Sequence, residues 1–135
     1  MKTFKPYVEA ALKQNISHAV VVETSKVVTA PWVRMKCQFG CSGKTIDQFN
    51  ETLVDLERSI FLDGYYKAWS LGCGPCDRCA ECNTGGTCLH SDRARPSMEG
   101  CGIDVFKTVR EKGLPINVLK NREEERNAYG LILIE

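Results

Sequence analysis

"TIDQFNETLVDLERSIFLDGYYKAWSL", residues 45–71, decides the fold. Ile46, Phe49, Leu53, Leu56 and Ile60 recur at alternating three- and four-residue steps, which puts them on one face of a helix. Asp47 suits the positive end of that helix and Gly64 is a natural stop. The segment after the glycine, "YYKAWSL" (65–71), has the composition of a strand. A long amphipathic helix running straight into a strand points to an α+β domain.

The flanks extend this reading. "FKPYVEAALKQN" (4–15) reads as an opening helix, with Pro6 in its first turn and Tyr7, Ala11 and Leu12 as its apolar stripe. "HAVVVETSKVV" (18–28) is apolar and β-branched, so a buried strand is expected, or a hairpin turning through "ETSK" with "WVRMKC" (32–37) extending its second arm. In "RPSMEGCGIDVFKTVREKG" (95–113), Ser97 is a candidate N-cap and Val105, Phe106 and Val109 form an apolar face. Gly100 and Gly102 weaken its first turn, so the regular helix is expected nearer Asp104, and Gly113 should end it. "PINVLK" (115–120) and "YGLILIE" (129–135) read as closing strands. The expected architecture is a small mixed β-sheet of about four to five strands packed with three helices. Residues 1–135 would form a single metal-binding domain with a cysteine-rich loop at 73–101.

Composition narrows the function. Hydrophobic residues make up 43% and charged residues 26%, ordinary values for a globular chain. The formal net charge of +1 gives no global field for nucleic acid or an anionic membrane, so neither is expected as a partner. No apolar run reaches bilayer length. The opening "MKTFKPYVEAALKQ" lacks the apolar core and cleavage site of a signal peptide, so a cytoplasmic location is expected.

Eight cysteines then need a reason. In a reducing compartment thiolates on a metal are favoured over disulfides. Five of them lie in "CGPCDRCAECNTGGTC" (73–88), too close together to staple distant segments. A bound cation keeps such thiols deprotonated and contributes to folding. The C-x2-C-x2-C-x5-C pattern of Cys76, Cys79, Cys82 and Cys88 is the first ligand set for a [4Fe–4S] cluster, with Cys73 able to replace one member. Separated C-x2-C knuckles would favour zinc, and 73–88 has no such gap, but zinc on the same residues stays open. Cys37 and Cys41 in "KCQFGC" are further candidate ligands, or else packed thiols, and Cys101 reads most simply as packed.

Arg78, Arg93 and Arg95 surround the run and could stabilise an anionic cluster, so they are candidate cofactor-binding residues. His18 and His90 read as surface or packing residues. Glu99 and Asp104 are candidate acid and base, although helix-start carboxylates are common for dipole reasons alone. No P-loop, dinucleotide fingerprint, zinc-protease or nucleophile-elbow motif is present, and no catalytic residue is assigned.

"LERSIFLDGYYKAWSLGCGPCDRCAEC" (56–82), "CLHSDRARPSMEGCGIDVFKTVREKG" (88–113) and "NAYGLILIE" (127–135) together resemble a family of uncharacterised prokaryotic proteins, described as predicted metal-binding proteins and common in anaerobic archaea and bacteria. "RMKCQFGC" (34–41) looks like the family's N-terminal cysteine motif. By motif the resemblance implies Cys37, Cys76, Cys79, Cys82 and Cys88, and leaves Cys73 and Cys101 as extras. Relatives usually carry a Tyr-Gly-Lys stretch and a Cys-Pro-Pro segment before the long helix. Here "CSGKTIDQF" (41–49) runs almost directly into it, so a shortened form is expected, in which either Cys41 compensates for the missing cysteine or the N-terminal site is lost. The resemblance brings no established reaction. The leading expectation is a small iron–sulfur protein relaying electrons to a redox protein partner. A zinc-stabilised interaction module and a metal-dependent enzyme using Cys37 or Glu99 and Asp104 are the alternatives.

Overall fold

A computed structural model describes residues 3–31, 47–74, 76, 78–121 and 123–135. "WVRMKC", Cys37 and Cys41 lie outside the described residues.

The first helix, α1, spans Lys5–Leu12 with Pro6 in its first turn and Ala11 buried. The long helix expected at 45–64 is α2, Asp47–Leu62. Its inner face buries Leu53, Val54, Leu56 and Ile60. Beyond it Gly64 takes a left-handed φ of 99°. That conformation lets the Gly64 N–H reach the Phe61 carbonyl (3.0 Å) and the Tyr65 N–H reach Ile60 (3.3 Å), the paired closure of a Schellman end. The two helices touch through rings: Phe4 and Tyr7 pack on Tyr65 at 5.7 and 6.0 Å. The Tyr7 hydroxyl also donates to Asp63 Oδ2 at 2.8 Å.

Directly after this turn comes β1, Trp69–Leu71, which pairs antiparallel with β2, Leu131–Leu133. Trp69 faces Leu133, Ser70 faces Ile132 and Leu71 faces Leu131. α2 packs against both strands. Gly130, just before β2, is required by that packing: a Cβ there would strike Leu53 and stand 3.1 Å from the Leu71 carbonyl oxygen.

The last helix, α3, covers Val105–Glu111. Asp104 caps it by accepting from the Lys107 N–H at 3.0 Å, so the regular helix starts where the glycines upstream predict. Ser97 also caps, but for the 3-10 turn Glu99–Cys101, accepting from the Gly100 N–H at 3.0 Å. Leu71, Met98, Ile103, Val105 and Val109 form one buried cluster, with Val27, Leu114, Ile116 and Tyr129 packed on it.

The fold is α+β, with three helices among the described residues, but the expected sheet of four to five strands is corrected to two antiparallel strands. "HAVVV" has no regular structure; Val20 and Val21 are exposed beside an apolar groove of about 450 Å³. "ETSK" does turn, as a 3-10 helix at Thr24–Lys26, but no hairpin follows among the described residues. "PINVLK" is irregular because Ile116 turns into the cluster while Val118 is exposed. A β-branched run becomes a strand only where a partner edge meets it. Two isolated bridges, Thr29 with Ile103 and Gly72 with Ser97, are the remaining strand-like contacts among the described residues.

Candidate metal centre

The cysteine loop leaves β1 and returns to the core through a backbone neck. The Gly72 N–H donates to the Pro96 carbonyl at 2.9 Å, and the Met98 N–H donates to the Gly72 carbonyl at 3.1 Å. Met98 is buried in the core cluster, so the returning chain is anchored immediately past the neck. α2 adds a second fixing. Asn50 uses its whole amide on Cys73: Nδ2 donates to the Cys73 carbonyl at 3.0 Å and Oδ1 accepts from the Cys73 N–H at 2.9 Å.

One turn of α2 carries the next contacts. The Glu51 carboxylate takes both Arg78, from inside the cysteine run, and Arg93, from beyond it. The Arg93 Nε–H contact to Glu51 Oε2 is 2.8 Å, and Arg93 Nη2 also reaches Asp55 at 2.9 Å. Partial burial pushes the Glu51 carboxyl upward, but hydrogen bonds from Arg93 and Arg78 outweigh it and hold the pKa below the ordinary value.

Deeper in, Arg95 and Glu57 form a fork. Arg95 Nε–H donates to Glu57 Oε2 at 2.9 Å and Nη2–H to Oε1 at 2.6 Å. Glu57 Oε2 also accepts from the Ser70 N–H and hydroxyl, each at 2.6 Å. Burial alone would raise the Glu57 pKa; Arg95 and Ser70 together hold it below normal. The Arg95 guanidinium lies 4.5 Å from the centre of the Trp69 ring.

Asn50, Glu51, Ser70 and Arg95 help to line a cavity of about 320 Å³. Leu53 and Val54 of α2 supply its apolar side, and Cys76, Arg78, His90 and Arg93 its loop side. Of the expected ligands, Cys73 and Cys79 are half-buried, whereas Cys76, Cys82 and Cys88 are exposed. These five and Cys101 are not joined to one another by disulfides. Cys101 packs against the hydrophobic cluster. Asp104 is spent on capping α3, while one carboxylate oxygen of Glu99 is buried with no hydrogen-bond partner among the described residues.

The donor chemistry fits a soft metal or an iron–sulfur cluster: several thiols, not tied up in disulfides with each other, in one short loop. The spatial arrangement is open. Among the described residues no three His, Cys, Asp or Glu side chains are grouped closely enough to hold a metal ion.

The structure is thus a small α+β fold carrying a cysteine-rich loop pinned to one helix by carboxylates. The chain belongs to the family described as "Predicted metal-binding protein (DUF2284)", whose model matches residues 42–134. That match takes in the cysteine loop and both strands, and begins after Cys37 and Cys41. Searches of curated proteins and of solved structures gave no match.

The residues that sequence reasoning missed are Asn50, Glu51, Asp55 and Glu57. Their polar face on α2 reads in sequence as a solvated one. Glu51 and Asp55, one helical turn apart, were the available signal, but their arginine partners, Arg78 and Arg93, lie far along the chain beyond β1.

Proposed function

We propose that the loop holds a [4Fe–4S] cluster on Cys76, Cys79, Cys82 and Cys88, and that the protein relays electrons to a redox protein partner. The observation that carries this reading is the C-x2-C-x2-C-x5-C run on a loop held at both ends, in a chain of a metal-binding family. Cys73 is the alternate ligand within the run, and Cys37 and Cys41 are candidates for a further site. The cluster would supply one-electron chemistry. The chain's own residues hold the loop, keep one side of it against the apolar wall of Leu53 and Val54, and surround it with Arg78, Arg93 and Arg95. Each of these arginines is paired with a carboxylate of α2, so their charge is largely balanced and their contribution is to hold the loop on the helix. Because the thiols do not converge in this structure, binding must draw the loop inward, and metal affinity is coupled to loop folding.

The test is anaerobic purification followed by iron, acid-labile sulfide and zinc analysis. About four iron and four sulfide per chain, with a visible charge-transfer band, are expected for one such cluster. Stoichiometric zinc without sulfide would overturn the cluster and leave the zinc-stabilised module in its place.

A further inference from the structure

The strongest unexplained feature of the loop is that a single carboxylate binds two of its arginines. Arg78 and Arg93 both close on Glu51, and between them lie Cys79, Cys82 and Cys88. The stretch 78–93 is sixteen residues long, counted inclusively, and its ends meet at one point on α2. That is the construction of an Ω-loop, closed here by side chains. The backbone neck at Gly72 and Met98 closes the same excursion further down, and Asn50 fixes Cys73 between the two closures.

We infer that Glu51 is a positioning residue for the metal loop: by clasping Arg78 and Arg93 together it holds both ends of the 79–88 segment against one point of α2 before metal binds. This rests on the reading that the cysteine loop is the metal site. The physical reason is entropic. Bringing the ends of a flexible loop together costs free energy that grows with loop length, and a chelate must meet that cost for every ligand it gathers. With the ends already joined, metal binding has only the interior of the loop to order. Side chains around a metal site that orient its ligands change affinity about 10- to 100-fold when removed. Asp55 does not share this role. Among the described residues its ion pair is with Arg93, from an exposed position, and does not reach Arg78.

Glu51 is also partly accessible, so the clasp must feel ionic strength. This separates a clasp from a merely structural side chain. Metal release from the wild-type protein should accelerate with added salt, and release from Glu51→Gln should be fast and nearly independent of it.

The experiment loads wild type, Glu51→Gln, Arg78→Gln, the Glu51→Gln/Arg78→Gln double variant and Lys67→Met with ferrous iron and sulfide under anaerobic conditions. Release to a chromophoric chelator is followed at low and high salt, with far-UV circular dichroism as a check on folding. Release about tenfold faster or more is expected for Glu51→Gln and for Arg78→Gln, with no further acceleration in the double variant. Lys67→Met, which removes an exposed ion pair outside the loop, should stay near wild type. Equal release rates in wild type and Glu51→Gln would overturn the inference while leaving the metal loop intact. So would additive effects in the double variant, or the same salt dependence in wild type and Glu51→Gln. A wild-type protein that takes up no metal would remove the reading of the loop itself, and the inference with it. Should Glu51→Gln fold poorly, Arg78→Gln alone decides, since Arg78 is the partner of the same clasp that comes from the loop and not from α2.

Discussion

Replacing Arg95 with glutamine should destabilise the fold by several kcal/mol, and the cause can be followed atom by atom. Glu57 is buried, and its carboxylate takes four hydrogen bonds: two from Ser70 and two from Arg95. The Arg95 and Glu57 side chains are only 11% and 9% exposed. Removing the guanidinium leaves a buried carboxylate with its two Ser70 bonds and no countercharge, which typically costs about 3–5 kcal/mol. The lost stacking on Trp69 adds about 0.5–1 kcal/mol. A loss of about 4 kcal/mol is a large part of the roughly 5–15 kcal/mol that holds a domain together. With a urea slope of about 2 kcal/mol/M the midpoint should fall by roughly 2 M.

Acid should reveal the mechanism. In the wild type the folded pKa of Glu57 lies below its unfolded value of about 4.3. Its stabilisation is therefore present above that pH and lost as pH falls through the lower folded value. In the variant, burial is no longer offset by Arg95 and the folded pKa should rise above the unfolded one. Protonation then relieves the strain, so the deficit against wild type should narrow between pH 7 and pH 4.5. Urea unfolding followed by circular dichroism at both pH values measures this. A midpoint within about 0.5 M of wild type at pH 7, or a deficit that does not change with pH, would refute the reasoning. Lys67→Met is the control. Its partner Glu135 is as exposed as Lys67 itself, and such pairs contribute about 0–1 kcal/mol.

The remaining expectations concern separate parts of the molecule. Cys79→Ser or Cys82→Ser should abolish metal uptake, whereas Cys101→Ser, a residue packed on the core cluster, should keep metal content near wild type; elemental analysis of the three variants decides. Gly130→Ala should cost about 1–3 kcal/mol by thermal unfolding, because the added methyl group meets Leu53 and the Leu71 backbone. Partial burial and then the hydrogen bond to Asp63 push the Tyr7 pKa up to about 12. Burial also raises the Tyr129 pKa, so spectrophotometric titration should find two late-ionising tyrosines, and Asp63→Asn should bring down that of Tyr7 alone.

The parts of the fold legible in sequence were those decided by local chemistry. α2 follows from five apolar residues in register and a stop glycine, and α3 begins at its own cap, Asp104. The turn at "ETSK" was legible for the same reason. What the sequence did not reveal was pairing. "HAVVV" and "PINVLK" have strand composition, yet neither meets an edge among the described residues, whereas "LILI" does. The site shows the same division. The cysteine spacing and the arginines Arg78, Arg93 and Arg95 stand out in the chain. That those arginines close on carboxylates of α2 depends on the loop folding back across that helix, which no local pattern encodes.

The backbone neck at Gly72 and Met98 has a consequence for how such a protein can change. It separates the chain into a part whose length is constrained and a part whose length is free. Within the loop, residues 83–87 form only a local turn, with Asn83 Nδ2 donating to the Thr87 carbonyl at 3.1 Å. Lengthening a flexible loop costs little, about 0.6 kcal/mol per doubling. Residues can therefore be inserted or deleted near the double glycine at 85–86 without moving α2 or either strand. The cysteine spacing in this loop can change while the helix and sheet beneath it stay the same.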